Sequence, residues 1–353
     1  MAVNPSLYLN ACSHGLPDQA CAEAVARQAL RPPGQMNEEA ELRERVRRAC
    51  ATLLETKPAT VGLGTGTFSL WAAIMDRLPA RRGRILVAAH EWGDHVLWLR
   101  RFAARTGLVL DVVSGERSAP PDLAAWAARM DDDVLALCLP LVTSVDGLHY
   151  PAREISALDR PADALVVVDA AQALGRVPVR AGDLGCDVLV GTARKWLRGP
   201  RQTAMAWLSD RAERVLACNA RSVEPFDLNA ALLAGMEAAV SIVSERGIDA
   251  ISHNIAQLDE LLRAELADVA AVEVQTAVTV GTISCRVLAI ATPGVQAGLD
   301  AQGIVAKWCD HVRDEPLSGL DPGVSVLRFS PHAYNDEDDI VSVAKALKSD
   351  LGL

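Results

Sequence analysis

Leu165-Val-Val-Val-Asp169-Ala-Ala-Gln172 and, further on, Val188-Leu-Val-Gly-Thr-Ala-Arg-Lys195-Trp-Leu-Arg-Gly-Pro200 decide how this chain is read. Each begins with a short apolar run bounded by turn formers, the pattern of a strand buried on both faces. In open α/β sheets, ligands gather outside the carboxyl ends of the strands. If these two strands are parallel neighbours, Asp169 and Lys195 emerge on one rim. A partly buried lysine beside the cationic Arg194 has a lowered pKa and is a better nucleophile, suited to forming an imine with an aldehyde cofactor. A buried aspartate facing a pyridine nitrogen keeps that nitrogen protonated, so the ring draws electrons from a substrate Cα. Taken singly, each residue has a plainer reading: an aspartate after a strand caps the next helix, and a lysine there is usually solvated. Their succession at the ends of two strands favours the chemical reading.

Outward from this pair, further apolar runs read as strands: Ile85–Ala89, Leu108–Val113, Val134–Leu139 and Ala204–Leu208. Helical spacing separates several of them, at 38–54, 68–78, 94–105 and 121–130. Strands alternating with helices predict an α/β fold with a mostly parallel sheet covered on both faces. Past about Cys218 the character changes. Two long helices are expected at 229–245 and 248–266, then half-buried strands at 272–275, 282–290 and 326–329, as in a smaller α+β unit. The expected organisation is an N-terminal segment at 1–35 lining the active site, a large cofactor-binding domain at 36–218 and a small C-terminal domain at 219–353.

The bulk properties agree. A chain of 353 residues, half of them hydrophobic, supports more than one domain. Its formal net charge of −10 and lack of a Lys/Arg block give nucleic-acid binding no electrostatic support. No apolar run is long enough to cross a membrane, and the first residues lack the pattern of a signal peptide. The eight cysteines are scattered with no C-x-x-C pair. No metal site is expected from them, and reduced thiols in a cytoplasmic protein are.

Three more segments bear on chemistry. Gly62-Leu-Gly-Thr-Gly66-Thr67 opens a helix, where backbone N–H groups and hydroxyls suit a phosphate; a tight turn is the structural alternative. The spacing departs from a dinucleotide fingerprint, so a cofactor with one phosphate fits better. In Ala89-His-Glu-Trp-Gly-Asp-His95, Trp92 stands at a strand end, placed to stack on a flat heterocycle or to pack between domains. In Leu327-Arg328-Phe-Ser-Pro-His-Ala-Tyr-Asn335, an arginine inside an apolar strand needs an anion, either a substrate carboxylate or an internal acid.

Together these segments resemble the class V aminotransferase family of fold-type I pyridoxal 5'-phosphate (PLP) enzymes, from Tyr8-Leu-Asn-Ala11 to the end of the chain. The nearest likeness is to hercynylcysteine sulfoxide lyases and isopenicillin N epimerase-like members. The strongest matches are Asp169-Ala-Ala-Gln172, Thr192-Ala-Arg-Lys-Trp-Leu-Arg-Gly-Pro-Arg201 and Arg328-Phe-Ser-Pro-His-Ala-Tyr-Asn335. The resemblance implies a Schiff-base lysine at Lys195, a pyridinium partner at Asp169 and a ring-oxygen contact from Gln172. It implies phosphate contacts from Gly66, Thr67, Thr192 and Arg194, and stacking by Trp92. Arg328 falls where the family binds the substrate α-carboxylate, and Asn10 and His14 fall in the segment that lines the substrate pocket. It also implies a homodimer. Ser144 replaces a usual asparagine, Gln202 replaces a usual glycine, and Glu224 falls near the place where relatives offer a threonine to the partner subunit's phosphate, where it would repel.

PLP leaves open which bond is broken. A desulfurase needs an attacking cysteine; the matching place is near Val312, three residues beyond Cys309. The Arg-Lys-Trp-Leu-Arg-Gly-Pro-Arg run looks most like the sulfoxide lyases. The expected reaction is therefore β-elimination from an S-substituted cysteine or its sulfoxide. Desulfuration, transamination or epimerisation, and a catalytically dead binding protein are the alternatives.

Overall fold

The structure is a computed structural model; it describes residues 7–31, 36–79, 82–115, 119–267, 269, 272–274, 279–287 and 292–349. Seven strands form the large sheet: β1 (Val61–Gly64), β2 (Arg84–Ala88), β3 (Val109–Val113), β4 (Val134–Pro140), β5 (Leu165–Asp169), β6 (Val188–Thr192) and β7 (Ala204–Leu208). Their spatial order is β1-β7-β6-β5-β4-β2-β3. Strands β6, β5, β4, β2 and β3 are parallel, and β7 runs antiparallel between β6 and β1. Strands β4 to β7 are buried at every position. This is why they read as continuous apolar runs without alternation.

Each face of the sheet has its own core. Leu86, Leu137, Val166 and Leu189 pack with helices Met36–Leu53 and Ala230–Arg246. Ile85, Val87, Ala136 and Val167 pack with helices Thr67–Met75 and Gly93–Thr106. The helix expected at 121–130 is only Leu123–Ala127. Pro120-Pro121 cannot supply helical N–H groups, and Asp122 caps the start by accepting from Ala125 N at 2.7 Å. At its end the chain tightens into three-residue bonds from Arg129 to Trp126 and Met130 to Ala127.

A second, antiparallel sheet contains β8 (Val272–Val274), β9 (Ile283–Val287), β10 (Lys307–Cys309) and β11 (Ser325–Phe329), in the order β10-β11-β9-β8. Gln275 and residues 288–290, expected to extend two of these strands, lie outside the described residues. Strand β10 carried no sequence signal, because Lys-Trp-Cys neither alternates nor forms an apolar run. Helices Ile248–Ala267 and Glu337–Ser349 cover this sheet through Leu258, Leu262, Ile340 and Val343.

The N-terminal segment touches both regions. Leu7–Tyr8 pairs in parallel with Ile304–Val305, and Asn10 bridges to Ser330. The following turn passes over the Lys195 loop, where Gly15 N donates to Arg194 O at 2.9 Å. Helix Gln19–Ala29 then lies on helix Ala230–Arg246, with Cys21 Sγ donating to Gly235 O at 3.3 Å. No helix among the described residues is long and apolar enough to cross a membrane.

Candidate active site

The parallel pairing of β5 with β6 brings Asp169 opposite Val190, so the chain leaving β6 carries Lys195 across the same rim. A cavity of about 180 Å³ opens there, and Gly66, Thr67, Trp92, Asp169, Gln172, Thr192, Arg194 and Lys195 all line it. Lys195 is 8 % exposed. Burial first, and then the neighbouring Arg194, lower its pKa to about 7, against the pull of Asp169. Its Nζ lies 5.7 Å from the centroid of the Trp92 ring, whose Nε1 donates to Asp94 Oδ2 at 3.2 Å.

The glycine-rich turn divides by role. A Cβ at Gly62 would strike Ala220 O at 2.3 Å, and one at Gly64 would strike the Leu70 side chain at 2.5 Å. Both are packing glycines. At Gly66 a Cβ would meet only Ser69 Oγ, at 3.7 Å. Gly66 caps helix Thr67–Met75, and Thr67 Oγ1 is buried there without a hydrogen-bond partner. An open glycine, an unsatisfied hydroxyl and a helix amino terminus make an anion cradle. With the desolvated amine of Lys195 and the carboxylate of Asp169 on the same wall, the residues fit PLP.

The remaining predicted residues are placed differently. Gln172 is already bonded: Nε2 donates to Cys12 O at 3.2 Å and to Ser144 Oγ at 3.3 Å, while Oε1 accepts from Trp196 Nε1 at 3.0 Å. Thr192 Oγ1 donates to Thr203 O at 3.1 Å, and Arg194 donates through Nη1 to Ser13 O. Arg328, Asn10 and His14 are not among the residues lining the cavity. Arg328 lies behind Ser144, donating to Ser144 O and, at 2.8 Å, to Ser13 Oγ. Arg328 Nε, Asn10 Oδ1 and His14 Nδ1 are buried without partners. Glu224 is not among the residues lining this cavity: it accepts from Leu63 N at 2.9 Å and pairs with the buried Arg47. Gln202, on the cavity wall, has φ +61°, the left-handed region that favours the usual glycine.

Sequence reasoning passed over Glu91 and His95. They stand four residues apart, a spacing that puts two side chains together at a helix start. His95 lines the cavity, with Nδ1 2.9 Å from Glu91 Oε1 and 3.8 Å from Asp169 Oδ2. The ligand atoms of Glu91, His95 and Asp169 all lie within 4.8 Å of one another. The hydrogen bond between His95 and Glu91 accounts for that closeness without an ion.

A profile of the family described as aminotransferase class-V matches residues 33–343. The chain belongs to the aminotransferase class-V family. It is a PLP-dependent enzyme of fold type I. Among its relatives, the probable hercynylcysteine sulfoxide lyase of Mycobacterium tuberculosis is 29% identical over 320 residues, covering 85% of this chain and 78% of that one. The fold matches a lysine-to-alanine mutant of C-DES with glycine covalently linked to its PLP cofactor. There the TM-score is 0.88 at 18% identity, covering 98% of this chain and 97% of the other. An apo cysteine desulfurase from Thermococcus onnurineus matches with a TM-score of 0.86 at 18% identity, over 98% and 95% of the two chains.

Proposed function

We propose that this enzyme is a C–S lyase that cleaves an S-substituted cysteine, or its sulfoxide, to pyruvate, ammonia and a thiol or sulfenate. When bound, PLP supplies an electron sink for the pair of electrons left at the substrate Cα. Lys195 is read as the residue that holds the cofactor and, once released, takes the Cα proton on Nζ; a pKa near 7 suits an amine that must accept and return a proton. Asp169 holds the ring nitrogen in its protonated form. Gly66, Thr67, Thr192 and Arg194 would hold the phosphate, the last two giving up their present bonds, while Trp92 would lie against the ring and Gln172 near its oxygen. Arg328 grips the substrate carboxylate, with Ser13 giving up its bond to Nη2, and Asn10 and His14 border the substrate.

The observation that carries elimination over desulfuration is that no cysteine is among the residues lining the cavity. Cys309 sits in strand β10 opposite Val326, and burial pushes its thiol up to about 12. A thiol held protonated in a paired strand is a poor nucleophile. Relatives of both kinds stand at 29% identity, the sulfoxide lyase and a cysteine desulfurase of Frankia sp., so the cavity lining carries the choice. Incubation with S-alkyl cysteine sulfoxides tests the reading: pyruvate and ammonia in equal amounts are expected, and a Cys309→Ser variant should match the wild type. Alanine formed from free L-cysteine in a parallel incubation, with a persulfide left on the enzyme, would instead establish a desulfurase. We read the working unit as a cytoplasmic homodimer, as the resemblance implies; Phe226, 96 % exposed beside the inward-turned Glu224, is an apolar group that such an association would cover.

A further inference from the structure

His95 is fully enclosed at 0 % exposure, and Glu91 is 1 % exposed. The His95 ring lies against Trp71 with centroids 4.4 Å apart and planes within 8°, and Phe68 lies 6.1 Å away in a second stacked arrangement. This clasp fixes the plane of the imidazole and so the direction of Nδ1. Glu91 Oε1 is fixed in turn, accepting from Trp92 N at 3.0 Å as well as facing His95. On the other side, Asp169 Oδ1 accepts from Ala171 N at 2.8 Å, and Oδ2 faces His95 Nδ1 at 3.8 Å. One oxygen of the Asp169 carboxylate is thus hydrogen-bonded from the protein side, and the other lies beside the imidazole.

The charges are arranged in sequence. Burial alone would drive His95 to its neutral form, but Glu91, with Asp169 and Asp94, reverses this and leaves its pKa raised. Lys195 and Arg194 line the same cavity as His95, and His90 Nδ1 meets Tyr150 Oη at 2.7 Å. Helix Thr67–Met75 presents Phe68 and Trp71. Cys138 of β4 and Tyr150 are held protonated by burial and, among nearby charges, by Glu91.

We propose that Glu91 and His95 are positioning residues that act through Asp169, fixing the orientation of its carboxylate against the cofactor's ring nitrogen. This rests on the reading of Asp169 given above. The test is a double-mutant cycle on the full chain. The dissociation constant for PLP is measured by absorbance and fluorescence titration for wild type, Glu91→Gln, Asp169→Ala and the double variant. Apoprotein melting temperatures are recorded alongside. Glu91→Gln should weaken binding by about tenfold, within the range of coupling between contacting residues. In the Asp169→Ala background the same change should cost nothing further. His95→Asn, run through the same cycle, must show the same non-additivity and stands in should Glu91→Gln fold poorly. Additive losses would make the pair a packing element and overturn the proposal. An Asp169→Ala variant that binds PLP as tightly as the wild type would overturn the reading of Asp169 itself, and this proposal with it.

Discussion

Two buried charged assemblies meet near the cavity, and they are built differently. On the rim of the large sheet, basic and acidic side chains follow one another, with Lys195 near Asp169 and His95 between Asp169 and Glu91. In the seam between the N-terminal segment and the second sheet, Arg328 and Arg176 are 2 % and 0 % exposed. They donate to Ser144 O, Ser13 Oγ and Thr282 Oγ1, with Asp259 acting on Arg176, and Asp314 and Glu315 on Arg328, without direct ion pairs among the described residues. Arg176 is further held over the Trp196 ring at 4.2 Å. A buried cation without a paired anion is costly. We propose that a substrate carboxylate completes the seam at Arg328. Cys12, between the two arginines, is the nearest internal candidate; burial opposes its ionisation, but Arg328 and Arg176 outweigh that and lower its pKa.

Changes in the seam should spare the cofactor and damage substrate use. Arg328→Lys keeps a charge but loses the planar fork. It should lower kcat/KM about a hundredfold, the scale of a lost buried charge-assisted contact, while the cofactor spectrum stays as in the wild type. Loss of the spectrum instead would erase the division between rim and seam.

The rim answers to pH. Burial and Arg194 depress Lys195 to about 7, and only its neutral amine adds to an aldehyde. The rate at which apoenzyme takes up PLP should therefore level off above about pH 7 and fall roughly tenfold per unit below it. A rate that keeps climbing towards pH 10 would mean an ordinary, solvated lysine.

A smaller effect is expected where the second sheet's connecting turn meets the rim. Glu315 is 1 % exposed and accepts from Ser144 N at 2.8 Å and Val145 N at 2.7 Å. Burial, then Asp146, raise its pKa well above the ordinary glutamate range. The folded state keeps a proton that the unfolded chain releases, so stability is lost as pH rises past that range. Glu315→Gln carries no such proton and can still accept both bonds. Its melting temperature relative to wild type should be higher at pH 8 than at pH 5, and the opposite trend would assign Glu315 an ionised partner.

The large sheet was legible because parallel strands buried on both faces announce themselves as unbroken apolar runs, and the order of Asp169 and Lys195 along two of them placed both on one rim. Strand β10 was not legible, since Lys307-Trp-Cys309 takes its extended form from pairing with β11 rather than from any local pattern. Glu91 and His95 were missed for a related reason. Their partners, Asp169 and Trp71, arrive from distant segments, and the only local trace was a four-residue spacing. Glu224 was read only through the resemblance; its pairing with the distant Arg47 and Leu63 left no trace in the local sequence.

The central claim is that Lys195 holds the cofactor, and the most direct measurement is the absorption spectrum of wild type and Lys195→Ala after both are supplied with PLP and freed of excess. The wild type should show a visible-to-near-ultraviolet band that borohydride bleaches, and the variant should lack it. A wild type without the band, or a variant that keeps a borohydride-sensitive one, would contradict the account.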